Sequence, residues 1–146
     1  MRGWVLMTDS LVLNSTQIEI IVHTLNELIE PWLIILFGSY AKGRAGEESD
    51  IDIAFLADRK VDEYQSFCIA QELTESIGKS VDCVNLYSAS TVFQMQVIGH
   101  GKVLYCKDET RRQYYFLRTF KEYALLNEER ATILKQIKER GTIYGG

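Results

Sequence analysis

The 146-residue sequence has three cysteines, one proline and no long apolar run. Each scarcity removes a class of protein. Cys68, Cys83 and Cys106 are odd in number, widely spaced and without a metal-ligand pattern. That excludes a disulfide framework and a zinc ribbon, and leads us to expect reduced thiols in a cytoplasmic protein. The longest apolar run, residues 32–37, is far too short for a membrane span. At the start, Arg2 and the brief Trp4-Val5-Leu6-Met7 stretch meet Asp9 at once, so a secretory signal is not expected, and Met7 is an alternative start to Met1. Internal repeats and low-complexity linkers are missing as well. What remains is 47% apolar, 25% charged and 11% aromatic. Such a chain builds a packed core rather than a disordered ensemble, and its length suits one domain spanning residues 1–146.

Positive charge is scarce in the first part of the chain. Residues 1–106 hold 7 basic and 14 acidic side chains, whereas residues 107–146 hold 9 and 6. An acidic body has no means of its own to neutralise a phosphate backbone. The basic tail reads as a solvated helix face, so direct nucleic-acid binding is not expected.

Thr16 and Glu19 stand at capping-box spacing ahead of apolar residues at 18, 21, 22, 25, 28 and 29, which predicts a helix that Pro31 stops. Residues 32–37 are apolar on both faces, as in a covered central strand. Residues 50–56 and 80–86 read as second and third strands, with a helix over 61–77 between them that Gly78 ends. That succession favours parallel pairing of the two strands. A short helix over 91–98 ending at Gly99, an edge strand over 102–106 and a helix over 109–140, broken near Asn127, complete the expectation. The core lies in about 16–106 and the helical extension in about 107–146.

The chemistry concentrates in one stretch, from Phe37-Gly38-Ser39 to Ser49-Asp50-Ile51-Asp52. Side chains alternate along a strand, so Asp50 and Asp52 share a face. Asp82, between Val81 and Cys83, joins them if the strands are neighbours in register. Three carboxylates on one face repel each other, and hard divalent cations relieve that repulsion, with Mg²⁺ the usual choice beside phosphates. Gly38 admits a phosphate to the backbone, Ser39 offers a hydroxyl and an N–H, and the turn to Lys42 aims a helix N-terminus at an anion. Two bound metals would then activate an attacking oxygen and neutralise a leaving pyrophosphate.

The segment resembles the G-S-x10-D-x-D signature of the nucleotidyltransferase superfamily that includes polymerase beta. More closely, the chain is similar to the MNT (minimal nucleotidyltransferase) antitoxins that pair with HEPN toxins. The resemblance runs from about Ile18 to Tyr105 and includes Val81-Asp82 and Gly101-Lys102-Val103-Leu104-Tyr105. It implies a polymerase-beta-like α/β core, a small mixed sheet with flanking helices, followed by a C-terminal helix. It implies ATP as substrate and Mg²⁺, two ions, held by Asp50, Asp52 and Asp82, with Asp82 helping to activate the acceptor. Gly38 and Ser39 would bind the triphosphate. The family's Ala-Arg-Gly is Ala41-Lys42-Gly43 here, so Lys42 or Arg44 would supply the phosphate contact. The acceptor it implies is a tyrosine of a separate HEPN ribonuclease chain, inactivated by one or several AMP units in a hetero-oligomer.

The toxin's R-x4-H motif is absent, because Ile18 precedes His23 and Met95 precedes His100 at that spacing. Both histidines read as ordinary core or surface residues. Along the last helix, Phe116 to Tyr123 is expected to pack on the chain's own sheet, and Ile133 to Ile137 to offer a partner surface. Tyr114 and Tyr115 are candidates for self-modification. Two other functions stay open: an antitoxin that neutralises its toxin by binding alone, and a small-molecule transferase of the aminoglycoside type. The second lacks room, since only forty residues follow Cys106.

Overall fold

The structure is a computed structural model that describes residues 12–145, with side chains described as far as Arg140. The stretch read for a secretory signal lies outside the described residues. Helix α1 (Ser15–Leu28) starts at Asn14, whose side chain accepts from Gln17 N at 2.8 Å while Gln17 Oε1 accepts from Asn14 N at 3.0 Å. The capping box therefore falls two residues ahead of the Thr16–Glu19 pair. Asparagine ranks above threonine as a cap, and a glutamine three residues on closes the box equally well. Glu30, at φ +47°, then turns the chain into Pro31.

Strands β1 (Pro31–Phe37), β2 (Ile51–Ala57), β3 (Val81–Asn85) and β4 (Lys102–Cys106) form one sheet in the order β3-β2-β1-β4. β1 runs antiparallel to β2 and β4, and β2 runs parallel to β3. The sheet is mixed, as expected. Helix α3 (Glu63–Ile77), which links β2 to β3, is capped by Asp62 and ends on Gly78 at φ +82°.

Each face of the sheet carries its own apolar layer. Ile21 and Leu25 of α1 and Ile69 and Leu73 of α3 pack on Ile34, Ile51, Ile53 and Phe55. On the other face, Val97 and Ile98 of α4 (Thr91–His100) and Tyr115 of α5 (Glu109–Gly145) cover Trp32, Ile35, Ala54 and Leu56. The alternation of β2 thus sends Asp52 toward the α4 and α5 side, in line with Ala54 and Leu56.

Helix α4 runs to His100, one residue past the expected stop. A Cβ on Gly101 would lie 2.5 Å from Ile35 Cγ2 and 2.9 Å from Leu36 O, so the helix exit is pressed directly on β1. Helix α5 is unbroken through Asn127, against expectation. An isolated asparagine costs a helix interior only a few tenths of a kcal/mol, and neither glycine nor proline stands nearby. Along α5, Tyr115 and Thr119 are buried and Phe116 and Tyr123 half-buried, but Phe120 turns outward. Ile133, Leu134 and Ile137 are all more than half exposed. All three cysteines are free thiols, and among the described residues no helix is long and apolar enough to cross a membrane.

At the edge where β1 begins, Arg111 of α5 lies 4.3 Å over the Trp32 ring and donates to Asp58 at 2.6 and 3.2 Å. Trp32 Nε1 donates to Tyr87 Oη at 3.1 Å. Every polar group in this cluster has a partner.

Candidate active site

At the opposite edge the carboxylates meet. Asp52 of β2 is the register partner of Asp82 on β3, and Phe37 at the end of β1 is the partner of Asp52 on its other side. Parallel in-register pairing puts Asp52 and Asp82 on one face. Asp50, two residues ahead of Asp52, approaches from the same side. The loop into β2 is held by Gly46 N donating to Ser49 Oγ at 2.9 Å. Ile51 N donates to Ser80 O at 2.9 Å, so the entrances of β2 and β3 are tied together.

The electrostatics follow from this placement. Burial first, then the Asp82 and Asp50 charges, push the Asp52 carboxyl up to about 6. Among the described residues none of the three aspartates makes an ion pair. Nor do three acidic, histidine or cysteine side chains close around one ion position among the described residues. The donors are nonetheless of one kind: carboxylate oxygens, half-buried or exposed, with unrelieved mutual repulsion. Those are the donors a hard divalent cation selects, and the three aspartates fit such an ion chemically.

Gly38 is required here for a reason its sequence position did not disclose. It sits at φ +72°, and a Cβ placed on it would collide with the Asp52 carboxylate. The glycine therefore lets Asp52 lie against the main chain at the end of β1. Helix α2 (Ser39–Lys42) follows as a single turn with no side-chain cap at Gly38. One turn carries little macrodipole, so an anion there would be met by individual N–H groups rather than by a helix field. The turn is secured by buried Tyr40 and Ala41, and Lys79 Nζ donates to Tyr40 Oη at 2.9 Å.

Gly38, Ser39, Asp50, Asp52 and Asp82 thus converge on one sheet edge. Lys42, exposed at the end of α2, lines a cleft beside Gly38. Arg44 lies beyond left-handed Gly43, exposed, its N–H returning to Ser39 O at 2.9 Å. The two tyrosines named for self-modification part company. Tyr114 is exposed, but Tyr115 is buried under Trp32, donates to Gln94 Oε1 at 2.6 Å and has its hydroxyl pushed up to about 12 by burial. Helical spacing explains this, since Tyr115 shares its inward face with Thr119. Cys83 is buried beside Asp82, and burial with that charge pushes its thiol up to about 12.

Comparison with known proteins matches residues 19–110 to the family described as polymerase beta, nucleotidyltransferase. The chain belongs to that family. This nucleotidyltransferase is 38% identical over 105 residues to the protein adenylyltransferase MntA of Shewanella oneidensis, covering 72% of this chain and 75% of the relative. Among solved structures it is similar to a chain of a toxin–antitoxin complex with AMP-PNP. That match has a TM-score of 0.75 and 36% identity, over 86% of this chain and 98% of that one. A second match is to a chain of the Shewanella oneidensis complex of a tri-AMPylated HEPN toxin with its MNT antitoxin. There the TM-score is 0.72 at 32% identity, with the same coverage.

Proposed function

We propose that this nucleotidyltransferase is the antitoxin of a HEPN toxin pair, transferring AMP from ATP to a tyrosine of the toxin. The observation that carries the chemistry is the in-register pairing of Asp52 with Asp82, with Asp50 alongside and Gly38 yielding its side-chain space to Asp52. The identity to a protein adenylyltransferase supports the acceptor class, and the tri-AMPylated toxin of the related complex supports repeated rounds.

In this reading Asp50, Asp52 and Asp82 hold Mg²⁺, two ions, while Gly38, Ser39, Lys42 and Arg44 receive the triphosphate. When bound, the ions supply positive charge to the α-phosphoryl group and to the departing pyrophosphate. The tyrosine oxygen forms a bond to the α-phosphorus, and the bond from that phosphorus to the bridging oxygen breaks. Pyrophosphate carries away the electron pair, and the hydroxyl proton passes to the Asp82 carboxylate. Asp50 and Asp82 are exposed, so an acceptor has open access to the carboxylates.

The test is incubation with the cognate HEPN chain, ATP and Mg²⁺, reading the toxin's mass. Whole AMP increments are expected, and an unchanged mass sinks the proposal. Ile133, Leu134 and Ile137, each more than half exposed on α5, favour one further element: the antitoxin also grips its toxin without chemistry. Protection of cells by an Asp50→Asn/Asp52→Asn variant would assign neutralisation to that grip alone.

A further inference from the structure

Helix α4 has no part in the family motif, yet it walls the space next to the motif. A cleft of about 340 Å³ opens beside Gly38, with Lys42 on one side and Phe93, Gln96 and His100 of α4 on the other. That volume is at the lower end for a small-molecule site, which suits one portion of a nucleotide. Phe37 and Phe93 meet edge to face at 5.6 Å and close its floor.

Charge decides which portion. The neighbouring cleft between α3 and β3, of about 450 Å³, presents Asp50, Asp62, Glu63 and Asp82. Asp62 and Glu63, which hold no ion in the AMP-transfer reading, repel a polyphosphate there. The cleft beside Gly38 has no carboxylate in its lining, and it carries Lys42 and the imidazole of His100. It also adjoins the reaction centre, because Gly38 lines it and a Cβ on Gly38 would meet the Asp52 carboxylate. A chain of phosphates lying in this cleft would leave its innermost phosphorus at the aspartates.

We propose that His100, lining the same cleft as Lys42, binds the outer phosphates of the nucleoside triphosphate and then the leaving pyrophosphate. The inference rests on the AMP-transfer reading and adds a residue from outside the motif. The position of His100 is firm. It is the last residue of α4, where Gly101 N donates to Val97 O at 2.8 Å and a Cβ on Gly101 would collide with Ile35 of β1.

The test measures binding of ATP, inorganic pyrophosphate and AMP, each with Mg²⁺, to the full chain without toxin. His100→Ala is expected to weaken ATP and pyrophosphate by roughly tenfold, the loss of one charge-assisted hydrogen bond, and to leave AMP unchanged. His100→Lys should restore most of the loss. His23→Ala, an exposed histidine on α1, should change nothing. If His100→Ala binds ATP as wild type does, or loses AMP as strongly as ATP, the cleft assignment is overturned alone. If wild type binds no ATP, the AMP-transfer reading falls and the cleft falls with it.

Discussion

The two ends of the sheet use similar residue types to opposite effect. Where β1 begins, Arg111 covers Trp32 and grips Asp58, and Tyr87 accepts from Trp32, so charge and polarity are matched. Hydrogen bonding to Arg111 holds the Asp58 carboxyl below its usual range. Where β1 ends, three aspartates converge with no ion-pair partner among the described residues, and Asp52 is driven the other way, up to about 6. Both ends sit on the same strands. The first joins α5 to the sheet, and the second keeps repulsion that serves no purpose in the fold itself. Unrelieved charge in an otherwise well-satisfied molecule marks a place where something else is meant to bind.

That contrast can be broken most severely at the repelling end. Asp50→Asn/Asp52→Asn should lower AMP transfer by roughly a thousandfold, about 4 kcal/mol of barrier, in a toxin mass assay. A double variant that transfers normally would show that the converging acids are ornamental. Gly38→Ala should cost roughly a hundredfold in rate, since the new methyl must displace Asp52 and small misplacements are that expensive. Steady-state transfer rates on folded protein check this, and an unaffected rate would separate Gly38 from the site.

At the matched end the expectation reverses. Arg111→Ala should lower stability by about 1 kcal/mol through loss of its packing over Trp32, read by urea denaturation, with transfer per folded molecule unchanged. A fallen rate would mean the two ends are mechanically coupled.

The smallest effect concerns pH. The folded chain keeps a proton on Asp52 up to about 6, the unfolded chain only to its ordinary value near 3.8. Between those values the folded state binds more protons, so this carboxyl subtracts stability as pH rises and the loss is complete above 6. Asp52→Asn should therefore be more stable than metal-free wild type at pH 7, by about 1 kcal/mol once roughly two thirds of the unscreened figure is discounted for solvent screening. The difference should vanish below pH 4. Melting curves at the two pH values decide it, and a destabilised variant at pH 7 would show that the repulsion is not felt.

Much of this was readable from residues alone, and for stated reasons. The six-residue apolar run reads as a strand covered on both sides, and it lies in β1, between β2 and β4. The alternation around Asp50 and Asp52 puts those two on one face, and the lone aspartate between Val81 and Cys83 joins them only if the strands pair in register, as they do. What escaped depended on neighbours distant in sequence. Nothing local said that Gly38 yields to Asp52, because the two meet only when β1 and β2 pair. His100 reads in the sequence as an ordinary core or surface residue, and only the packing of α4 beside β1 places it in the cleft next to Gly38. The Asn14–Gln17 pair is present in the sequence two residues ahead of Thr16–Glu19, and its better capping residue decides where the helix starts.

The pairing of β2 with β3 carries a consequence for how errors are handled. A slip of one residue would turn Asp82 to the opposite face, among the apolar side chains beneath α1 and α3. Such a molecule would do more than lose its reaction centre. It would have to bury a charge, and it would not last. Assembly of the fold and assembly of the site are therefore one event, and the cell is spared a population of well-folded but idle copies competing for the same partner.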